Sequence, residues 1–481
     1  MNKKIFFLLF IFTVLIRLWH INQPLLDAHS WRQTASAMVA RNYLSDMNFF
    51  KPVTDFDPPH SLFSGLYEYL VAALAKLFGF SDLLGRLTSL GLFLIGFVYY
   101  YKLVLRFTSQ YVALIACAFY SFLPVSVFYS RAFQTDSGMV SLTVIFLYYF
   151  ILWTDGKKTI HFLMSVLFAN LAFLFKILSL FILIPAVGYF VMRHKTDFFK
   201  KPLLYFFLFL SMAFPLFYNW WAPIAANGQI ESAFFNQDKW ANVQTLKSFK
   251  YWYETFFANQ FEFQYMHTGY VFLIIGLYKN IKNVSFRLFY LWAIGVCLFF
   301  IAAAKGVFHE YYLLPLIPAA CVFIGGFLAE FFTDYYEKQF RGRKDKIKFG
   351  LVCFMIFYCF AFSLVRLNQR LQLEGLHYLK IADAIKQNTE PSERITVISH
   401  SEPEVIYYSE RRGTHIHIKK QEELPGAIER SQNIQKNGNS ILAITDFCFE
   451  KELPGILSKF KKSSIIFEGK EGVVIKTPVK S

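Results

Sequence analysis

The sequence lacks the motifs of several familiar soluble enzymes. It has no phosphate-binding loop, no dinucleotide fingerprint, no HExxH and no GxSxG. A nucleotide donor, a zinc protease and a serine hydrolase are therefore unsupported. The six cysteines show neither a pairing pattern nor a metal-ligand spacing, and five of them lie inside apolar runs. We interpret them as small buried hydrophobic residues.

Charge is scarce as well. Charged residues make up only 17% of the chain, whereas 55% of it is hydrophobic and 20% is aromatic. The mean hydropathy of +0.37 is too high for an ordinary soluble protein. A membrane span needs roughly 20 mostly apolar residues, and this chain offers that pattern repeatedly. The composition predicts a multi-spanning α-helical membrane protein.

The net charge of +16 does not indicate nucleic-acid binding, because the basic residues lie in short clusters between apolar runs. Such clusters occur at 193–201, 279–287 and 337–348. This distribution is typical of cytoplasmic loops under the positive-inside rule. No basic stripe with interleaved aromatics occurs outside these loops, so we expect no nucleic-acid partner.

The first apolar run follows Lys3 and Lys4, as in a signal peptide, but no small-residue cleavage site comes after it. We therefore expect a retained helix with its N-terminus in the cytoplasm. About eleven spans follow from hydropathy, and the basic clusters then all fall on the cytoplasmic side. The predicted spans are 5–20, 83–101, 111–129, 137–153, 160–175, 177–192, 203–221, 268–279, 286–304, 311–333 and 349–367.

This topology places the large first loop, roughly 21–82, outside the cytoplasm. Residues 30–44 and 62–80 have helical spacing, and we expect both helices to lie along the membrane surface. Residues 1–367 are predicted to form the membrane domain and 368–481 a small extracytoplasmic α/β domain, because helix and strand patterns alternate there. The predicted strands are 394–400, 440–446 and 471–477, and the predicted helices are 379–388 and 453–460.

Three polar stretches on the outer side carry the candidate residues. The first is LLDAHSWRQ, with Asp27, His29 and Arg32. A carboxylate near the membrane interface is costly unless it is solvated or has a function. Aspartate is also a favoured helix N-cap, so Asp27 is either a catalyst or the cap of a helix that begins near Ser30.

The second stretch is YSRAFQTD, which ends on Asp136 at the start of a predicted span. Asp136 either caps that helix, where the dipole favours a negative charge, or belongs to a site. Arg131 lies five residues earlier, and an arginine at such a turn usually pairs with a carboxylate or binds a phosphate. We expect Asp27, Arg131 and Asp136 to converge on one outer cavity.

The third stretch is KGVFHEYY, with Lys305, His309, Glu310 and Tyr312. Tyrosine and histidine at this depth are typical of an interfacial belt. Lysine and histidine together also suit an anionic headgroup. Both interpretations stay open on the residues alone.

The order of these motifs resembles a known family. A basic-flanked helix and an acidic outer loop precede PPHSLFSGLYEYLVAALAKLFGFSDLLGRLTSL, FLPVSVFYSRAFQTDSGMVSL and HEYYLLPLIPAACVF. The pattern is similar to that of the GT-C membrane glycosyltransferases, specifically the bacterial relatives of protein O-mannosyltransferase and of the lipid A aminoarabinose transferase (glycosyltransferase family 39-like). The resemblance covers roughly residues 1–330.

The resemblance implies an inverting glycosyltransferase of the bacterial cytoplasmic membrane. Such an enzyme would move a sugar from a polyprenyl-phosphate donor to a hydroxyl of a lipid, glycan or protein on the outer face. Asp27 would be the catalytic base, Asp136 a second carboxylate and Arg86 a structural residue. His309 and Tyr312 would lie beside the lipid phosphate.

One position departs from the family pattern. The aminoarabinose transferase branch has a basic residue just before its Pro-Pro pair, where this chain has Asp57. The phosphate would therefore be held by Arg131, Lys305 and His309, with Asp136 orienting Arg131 or the acceptor. His29, Arg32, Glu310 and Tyr312 complete the predicted substrate-binding set. We expect no cofactor and no metal, because the sequence has no dense carboxylate cluster.

Two other classes were weighed against the enzyme. A transporter or flippase for a lipid-linked or envelope precursor would also need many spans. Transporters tend to carry polar residues at mid-membrane depth in repeated halves, whereas the polar residues here gather at one face and no repeat occurs. A purely structural protein would leave this asymmetric cluster without a role.

Overall fold

A computed structural model describes residues 2–57, 65–225, 243–304, 309–337, 342–399, 403–418, 420–435, 439–445, 464–470 and 472–476. The chain divides into two compact units, each considered by itself. The first unit comprises Met1–Asn22, Gly85–Trp221 and Ser232–Leu371. The second comprises Gln23–Leu84, Ala222–Glu231 and Gln372–Ser481. The first loop and the C-terminal segment thus belong to the same unit.

The elements alternate between long apolar helices and short connecting turns. Short 3-10 segments occur at Ile177–Ile182, Lys195–Lys200, Val284–Phe286, Glu310–Leu316 and Gln421–Glu423, and a π-helix occurs at Glu254–Gln264. The α-helices are α1 (Asn2–Leu18), α2 (Ser30–Ser45), α3 (Leu66–Phe78), α4 (Asp82–Phe107), α5 (Gln110–Phe122), α6 (Pro124–Tyr129), α7 (Asp136–Gly156), α8 (Thr159–Phe175), α9 (Leu183–His194), α10 (Pro202–Ala225), α11 (Val243–Lys247), α12 (Phe249–Tyr253), α13 (Thr268–Asn280), α14 (Arg287–Ala302), α15 (Ile317–Glu337), α16 (Arg343–Arg370), α17 (His377–Asn388), α18 (Glu404–Ser409) and α19 (Leu424–Gln435).

Each predicted span corresponds to helix in the structure. Within the described residues, seven helical segments are long and apolar enough to cross a membrane. They are Asp82–Phe107, Asp136–Gly156, Ile177–His194, Pro202–Ala225, Val284–Ala302, Glu310–Glu337 and Arg343–Arg370. The predicted span 111–129 is two helices, because Leu123 precedes Pro124 and has an extended ψ of 129°. The residue before a proline is disfavoured in the α conformation.

Two helices form the centre of the first unit. The most apolar windows of α7 and of the segment containing α15 are 83% and 89% buried, whereas that of α16 is only 17% buried. α7 packs on α8, and α15 packs on α5 and α13. Gly276 of α13 lies against the carbonyl of Phe323, a backbone approach that only a small residue permits.

Within the described residues, the second unit is built on a five-stranded sheet in the order β2-β1-β3-β5-β4. β2 and β3 run parallel to β1, whereas β5 lies antiparallel to both β3 and β4. The core of the unit includes Ile398, Leu442 and Ile475, all fully buried. The strands are β1 (Arg394–Ser399), β2 (Gly413–His417), β3 (Asn439–Thr445), β4 (Ser464–Gly469) and β5 (Gly472–Lys476).

The first loop is hydrogen-bonded to this sheet. Phe56 forms a parallel bridge with Gly413 at the start of β2, and the Asp57 amide donates to the Gly413 carbonyl at 2.8 Å. These bonds extend the sheet edge with first-loop backbone, which fixes the loop beside the strands.

The fold class predicted from sequence, a multi-spanning helical protein with a small C-terminal α/β domain, is confirmed. The predicted helix 379–388 corresponds to α17, and the three predicted strands correspond to β1, β3 and β5. The predicted domain limit after residue 367 falls inside α16, which continues to Arg370 because its helical hydrogen bonding extends past the last apolar turn. The predicted helix 453–460 lies outside the described residues.

Candidate active site

Asp27 lies in the second unit, immediately before α2, with only 4% of its surface exposed. Its Oδ1 accepts a hydrogen bond from Nε2 of Gln33 at 2.6 Å, and its Oδ2 accepts one from Nε2 of Gln23 at 3.2 Å. Both amides are hydrogen-bond donors, and these two contacts orient the carboxylate.

α2 begins at Ser30, as the sequence predicts, but its N-cap residue is His29 and not Asp27. His29 has φ 56° and ψ 38°, a left-handed conformation that is uncommon outside glycine. Such backbone strain occurs where the surrounding structure enforces it, often at functional sites. The Ser30 hydroxyl donates to Oε1 of the buried Glu404 at 2.6 Å, which fixes the first turn of α2.

The segment before Asp27 is anchored to the C-terminal part of the same unit. The Leu25 amide donates to the Tyr408 hydroxyl at 2.7 Å, and that hydroxyl donates to Oδ2 of Asp82 at 3.0 Å. Tyr407 donates to Oδ1 of Asp82 at 2.5 Å. Burial, and then the Asp82 carboxylate, raise the pKa of Tyr407 well above its ordinary value, so its hydroxyl stays a donor. Leu26 accepts the Glu374 amide at 2.8 Å.

We expect Tyr408→Phe to loosen the backbone before Asp27. The substitution removes the hydroxyl that accepts the hydrogen bond of the Leu25 amide, and Leu25 is fully buried. A buried amide without a partner costs about 1–3 kcal/mol. Hydrogen–deuterium exchange should show faster exchange at Leu25. Tyr336→Phe, at an 86% exposed tyrosine, is the control and should leave that exchange unchanged. Equal exchange in Tyr408→Phe and the wild type would contradict the anchoring role.

In the first unit, Asp136 is the first residue of α7 and forms an ion pair with Lys176. The distance from Nζ of Lys176 to Oδ1 of Asp136 is 2.6 Å, and both side chains are at most 1% exposed. The Lys176 ammonium also lies 4.9 Å from the ring centroid of Tyr311 and 4.5 Å from that of Tyr312. Two aromatic faces and one carboxylate thus surround the buried charge.

Polar atoms beside this pair are buried without hydrogen-bond partners among the described residues. They are both amide atoms of Gln134, the hydroxyl of Thr135 and Oδ2 of Asp136. All three residues have 0% exposure. Leaving such a group unpaired costs about 1–3 kcal/mol, and native proteins pair nearly all of them. The start of α7 therefore offers donors and acceptors to a polar ligand.

Arg131 and Arg86 support the chain segment that follows α1. Arg131 is 1% exposed, and its Nη2 donates to the His20 carbonyl at 2.6 Å. Arg86 is fully buried, and its Nη1 donates to the Ile21 carbonyl at 3.1 Å.

Glu310 is held by two partners in the first unit. Both carboxylate oxygens form charge-assisted hydrogen bonds with Arg370, and Oε1 accepts from the Tyr129 hydroxyl at 2.7 Å. The His309 ring stacks on Tyr311 with centroids 5.1 Å apart. Tyr311 therefore contacts both His309 and Lys176. Lys305 lies outside the described residues.

The structure brings Asp136 and Tyr312 together through Lys176, and it adds residues that sequence reasoning missed. These are Gln23 and Gln33 around Asp27, Lys176 beside Asp136, and Arg370 beside Glu310. The sequence does contain a signal for Lys176, since this lysine is an isolated charge between two predicted spans. The sequence contains no such signal for Arg370, because basic residues are common at the ends of membrane spans whatever their function. Arg32 is buried in α2, at 2% exposure.

Residues 64–221 match the family model described as dolichyl-phosphate-mannose-protein mannosyltransferase. No curated protein matches the chain significantly. The fold is similar to that of ArnT from Cupriavidus metallidurans bound to undecaprenyl phosphate, with a TM-score of 0.69, 11% identity, and coverage of 98% of this chain and 97% of that chain. The apo form of ArnT gives a TM-score of 0.68 at 12% identity, over 99% and 98% of the two chains.

A further similar structure is the Archaeoglobus fulgidus oligosaccharyltransferase tethered to an acceptor peptide. Its TM-score is 0.59 at 12% identity, with 92% of this chain and 69% of that chain covered. The chain therefore shares the GT-C fold of these glycosyltransferases, and its residues 64–221 resemble the mannosyltransferase family model. The predicted resemblance is confirmed, and the transporter alternative is not favoured.

Proposed function

We propose that the protein is an inverting glycosyltransferase that moves a sugar from a polyprenyl-phosphate donor to a hydroxyl acceptor. The family match and the ArnT-like fold support transfer of a sugar. The single observation that carries the mechanism is the buried Asp27 carboxylate, oriented by Gln23 and Gln33. The acceptor is a lipid, a glycan or a protein.

Asp27 is the proposed general base. It takes the proton of the acceptor hydroxyl while the acceptor oxygen attacks the anomeric carbon of the donor. The bond from that carbon to the phosphate oxygen breaks, and the polyprenyl phosphate leaves with the bonding electron pair. Attack opposite to the leaving group inverts the anomeric centre. A positioned base of this kind contributes about 10²–10⁴-fold to the rate.

The leaving phosphate needs charge stabilisation more than a strong acid. We assign this role to Arg131 and His309, together with Lys305. Charged donors aimed at developing negative charge are among the largest contributions to enzymatic rates. Because a phosphate leaves readily once it is stabilised, the proposed reaction uses no cofactor.

The pair Asp136–Lys176 supports the donor site in this proposal. The neighbouring Gln134 and Thr135, whose buried amide and hydroxyl groups have no hydrogen-bond partner among the described residues, supply groups that can bind sugar hydroxyls. Tyr312 holds the Lys176 ammonium in place. Glu310 acts as a positioning residue through Arg370 and Tyr129, while His29 and Arg32 contact the acceptor beside Asp27.

We propose that transfer occurs on the outer face of the bacterial cytoplasmic membrane, with a cytoplasmic N-terminus and an extracytoplasmic C-terminal domain. The basic clusters between the apolar helices support this orientation. A cysteine placed at the exposed Glu429 of α19 should react with a membrane-impermeant maleimide in intact spheroplasts. Labelling only after lysis would reverse the orientation.

The function is tested by mass spectrometry of envelope lipids and glycans from strains with and without the gene. We expect the deletion strain to lose one specific sugar and to accumulate one polyprenyl-phosphate sugar. Complementation with the wild-type gene should restore both, whereas complementation with Asp27→Asn should not. An unchanged glycome together with altered transport of a lipid-linked precursor would overturn the proposal.

A further inference from the structure

Two neighbouring cavities in the second unit are lined by arginines. The larger has a volume of about 550 Å³ and the smaller about 260 Å³. Arg394 and Arg412 line both cavities and form a shared wall. Their combined volume is that of a site for a small ligand, since such sites occupy roughly 300–1,000 Å³.

The walls come from three parts of the unit that the fold brings together. The C-terminal half of α2 contributes Arg41, Asn42 and Ser45 to the larger cavity. The first-loop backbone that bridges to β2 lines the smaller one. The turns before β1 and between α18 and β2 supply the rest. The Gly413 amide donates to the Asp55 carbonyl and the Asp57 amide donates to the Gly413 carbonyl, so the cavities are built into the sheet edge.

The charges around the cavities do not balance. Five basic side chains and three carboxylates line them. The basic residues are Arg41, Lys51, Arg394, Arg411 and Arg412, and the acidic residues are Asp55, Asp57 and Glu410. Each carboxylate is already paired with a basic side chain. The pairs are Arg41 with Asp55, Arg394 with Asp57 and Lys386 with Glu410.

Three of the basic residues, Lys51, Arg411 and Arg412, have no carboxylate partner among these pairs, and two of them are consecutive in the chain. Arg411 is 5% exposed and is held by neutral oxygens, among them the Thr389 carbonyl at 2.8 Å and the Thr389 hydroxyl at 3.1 Å. Together with bonds to the carbonyls of Lys386, Ser409 and Glu410, these contacts occupy all three guanidinium nitrogens, and none of them involves a carboxylate. Arg412 is exposed, and its side chain has no ion pair or hydrogen bond within the described part of the chain.

The remaining lining groups suit a sugar. Asn42, Ser45, Thr54 and Ser392 offer amide and hydroxyl groups, and Phe56 offers an aromatic face. The site is also separate from Asp27. Ser30, next to Asp27, and Asn42, at the cavity, are twelve residues apart on α2, which corresponds to about 18 Å along the helix axis.

We propose that these cavities form a binding site for an anionic saccharide, whose phosphate or carboxylate group binds the Arg412 guanidinium, while the neighbouring Arg411 adds positive charge to the site. Arginine is suited to both anions because its planar fork donates two parallel hydrogen bonds. The sugar ring occupies the larger cavity against Asn42 and Ser45. The proposal concerns binding alone and stands apart from the transfer reaction.

The test is calorimetric titration of the full-length protein in phosphatidylcholine nanodiscs, which carry no anionic lipid. The probes are glucose 6-phosphate, glucuronate, glucose and inorganic phosphate. We expect saturable binding of at least one anionic sugar, with weaker binding of glucose and of inorganic phosphate alone. The two anionic probes distinguish a phosphate from a carboxylate ligand.

Arg412→Gln removes one positive charge from an exposed side chain, so the fold should persist. We expect the dissociation constant of the anionic sugar to rise about 10–100-fold, the effect of losing a hydrogen bond to a charged group. Arg430→Gln is the matched control, because Arg430 is exposed on α19 of the same unit and does not line either cavity. Its binding should equal that of the wild type.

Three results would overturn the proposal. One is the absence of saturable binding by both anionic sugars at millimolar concentration. Another is unchanged affinity in Arg412→Gln. The third is an equal loss in Arg412→Gln and Arg430→Gln, which would indicate a general charge effect and no site. Binding of inorganic phosphate as tight as that of glucose 6-phosphate would refute the saccharide part of the assignment.

Discussion

Asp27→Asn is expected to lower the transfer rate by about 10²–10⁴-fold, the range that a positioned general base contributes. The amide cannot take the proton of the acceptor hydroxyl, but it has nearly the same shape as the carboxylate. Gln33 and Gln23 donate to Asp27 in the wild type, and the carbonyl oxygen of the introduced amide can still accept one of these bonds. The protein should therefore fold, and its affinity for the donor should change little. The measurement is single-turnover transfer from a polyprenyl-phosphate sugar by purified protein.

The control for this prediction is Asp46→Asn. Asp46 is the exposed C-cap residue of α2, the helix that begins just after Asp27. The change in charge is therefore identical, but it lies at the far end of that helix. We expect its transfer rate to match that of the wild type. Size-exclusion profiles of the two variants should coincide. If Asp27→Asn retained full transfer at equal protein levels, Asp27 would not be the base.

The helical framework could be predicted from sequence because the bilayer imposes one strong pattern. Runs of apolar residues predicted the segments around α4, α7 and α10 to within a few residues. The break at Leu123–Pro124 was missed, since hydropathy averages over a window and does not register the conformation before a proline. The edge strand β2 was also missed, because GTHIH has little apolar content.

For the candidate site, the sequence predicted the carboxylates but not their partners. Asp27 and Asp136 stood out because carboxylates are rare next to apolar runs. Their partners could not be recognised in the sequence. The pairing of Asp136 with Lys176, for example, depends on how helices pack over a separation of 40 residues. Likewise, no local pattern in the sequence indicates the glutamine pair around Asp27 or the left-handed turn at His29.

Lys176→Met is expected to destabilise the protein by about 3–5 kcal/mol, the cost of leaving one charge of a buried ion pair without its partner. The Asp136 carboxylate would keep its burial but lose the ammonium 2.6 Å away. Asp136→Asn should have an effect of similar size, because it would leave the buried Lys176 ammonium without its carboxylate. The measurement is thermal unfolding of the purified protein in detergent, followed by tryptophan fluorescence. Lys279→Met is the control, because its ion pair with Glu330 is solvent-exposed and exposed pairs contribute only about 0–1 kcal/mol.

The double variant Asp136→Asn/Lys176→Met separates a structural role of this pair from a functional one. Removing both charges leaves no unpaired ion, so most of the stability should return, as replacement of buried pairs by neutral groups often shows. Under the proposed mechanism, transfer should not return with it, because Asp136 and Lys176 organise the polar groups at the start of α7. A double variant with both wild-type stability and wild-type transfer would make the pair purely structural. A double variant destabilised by the sum of the two single effects would show that the two charges are not coupled, contrary to the 2.6 Å contact.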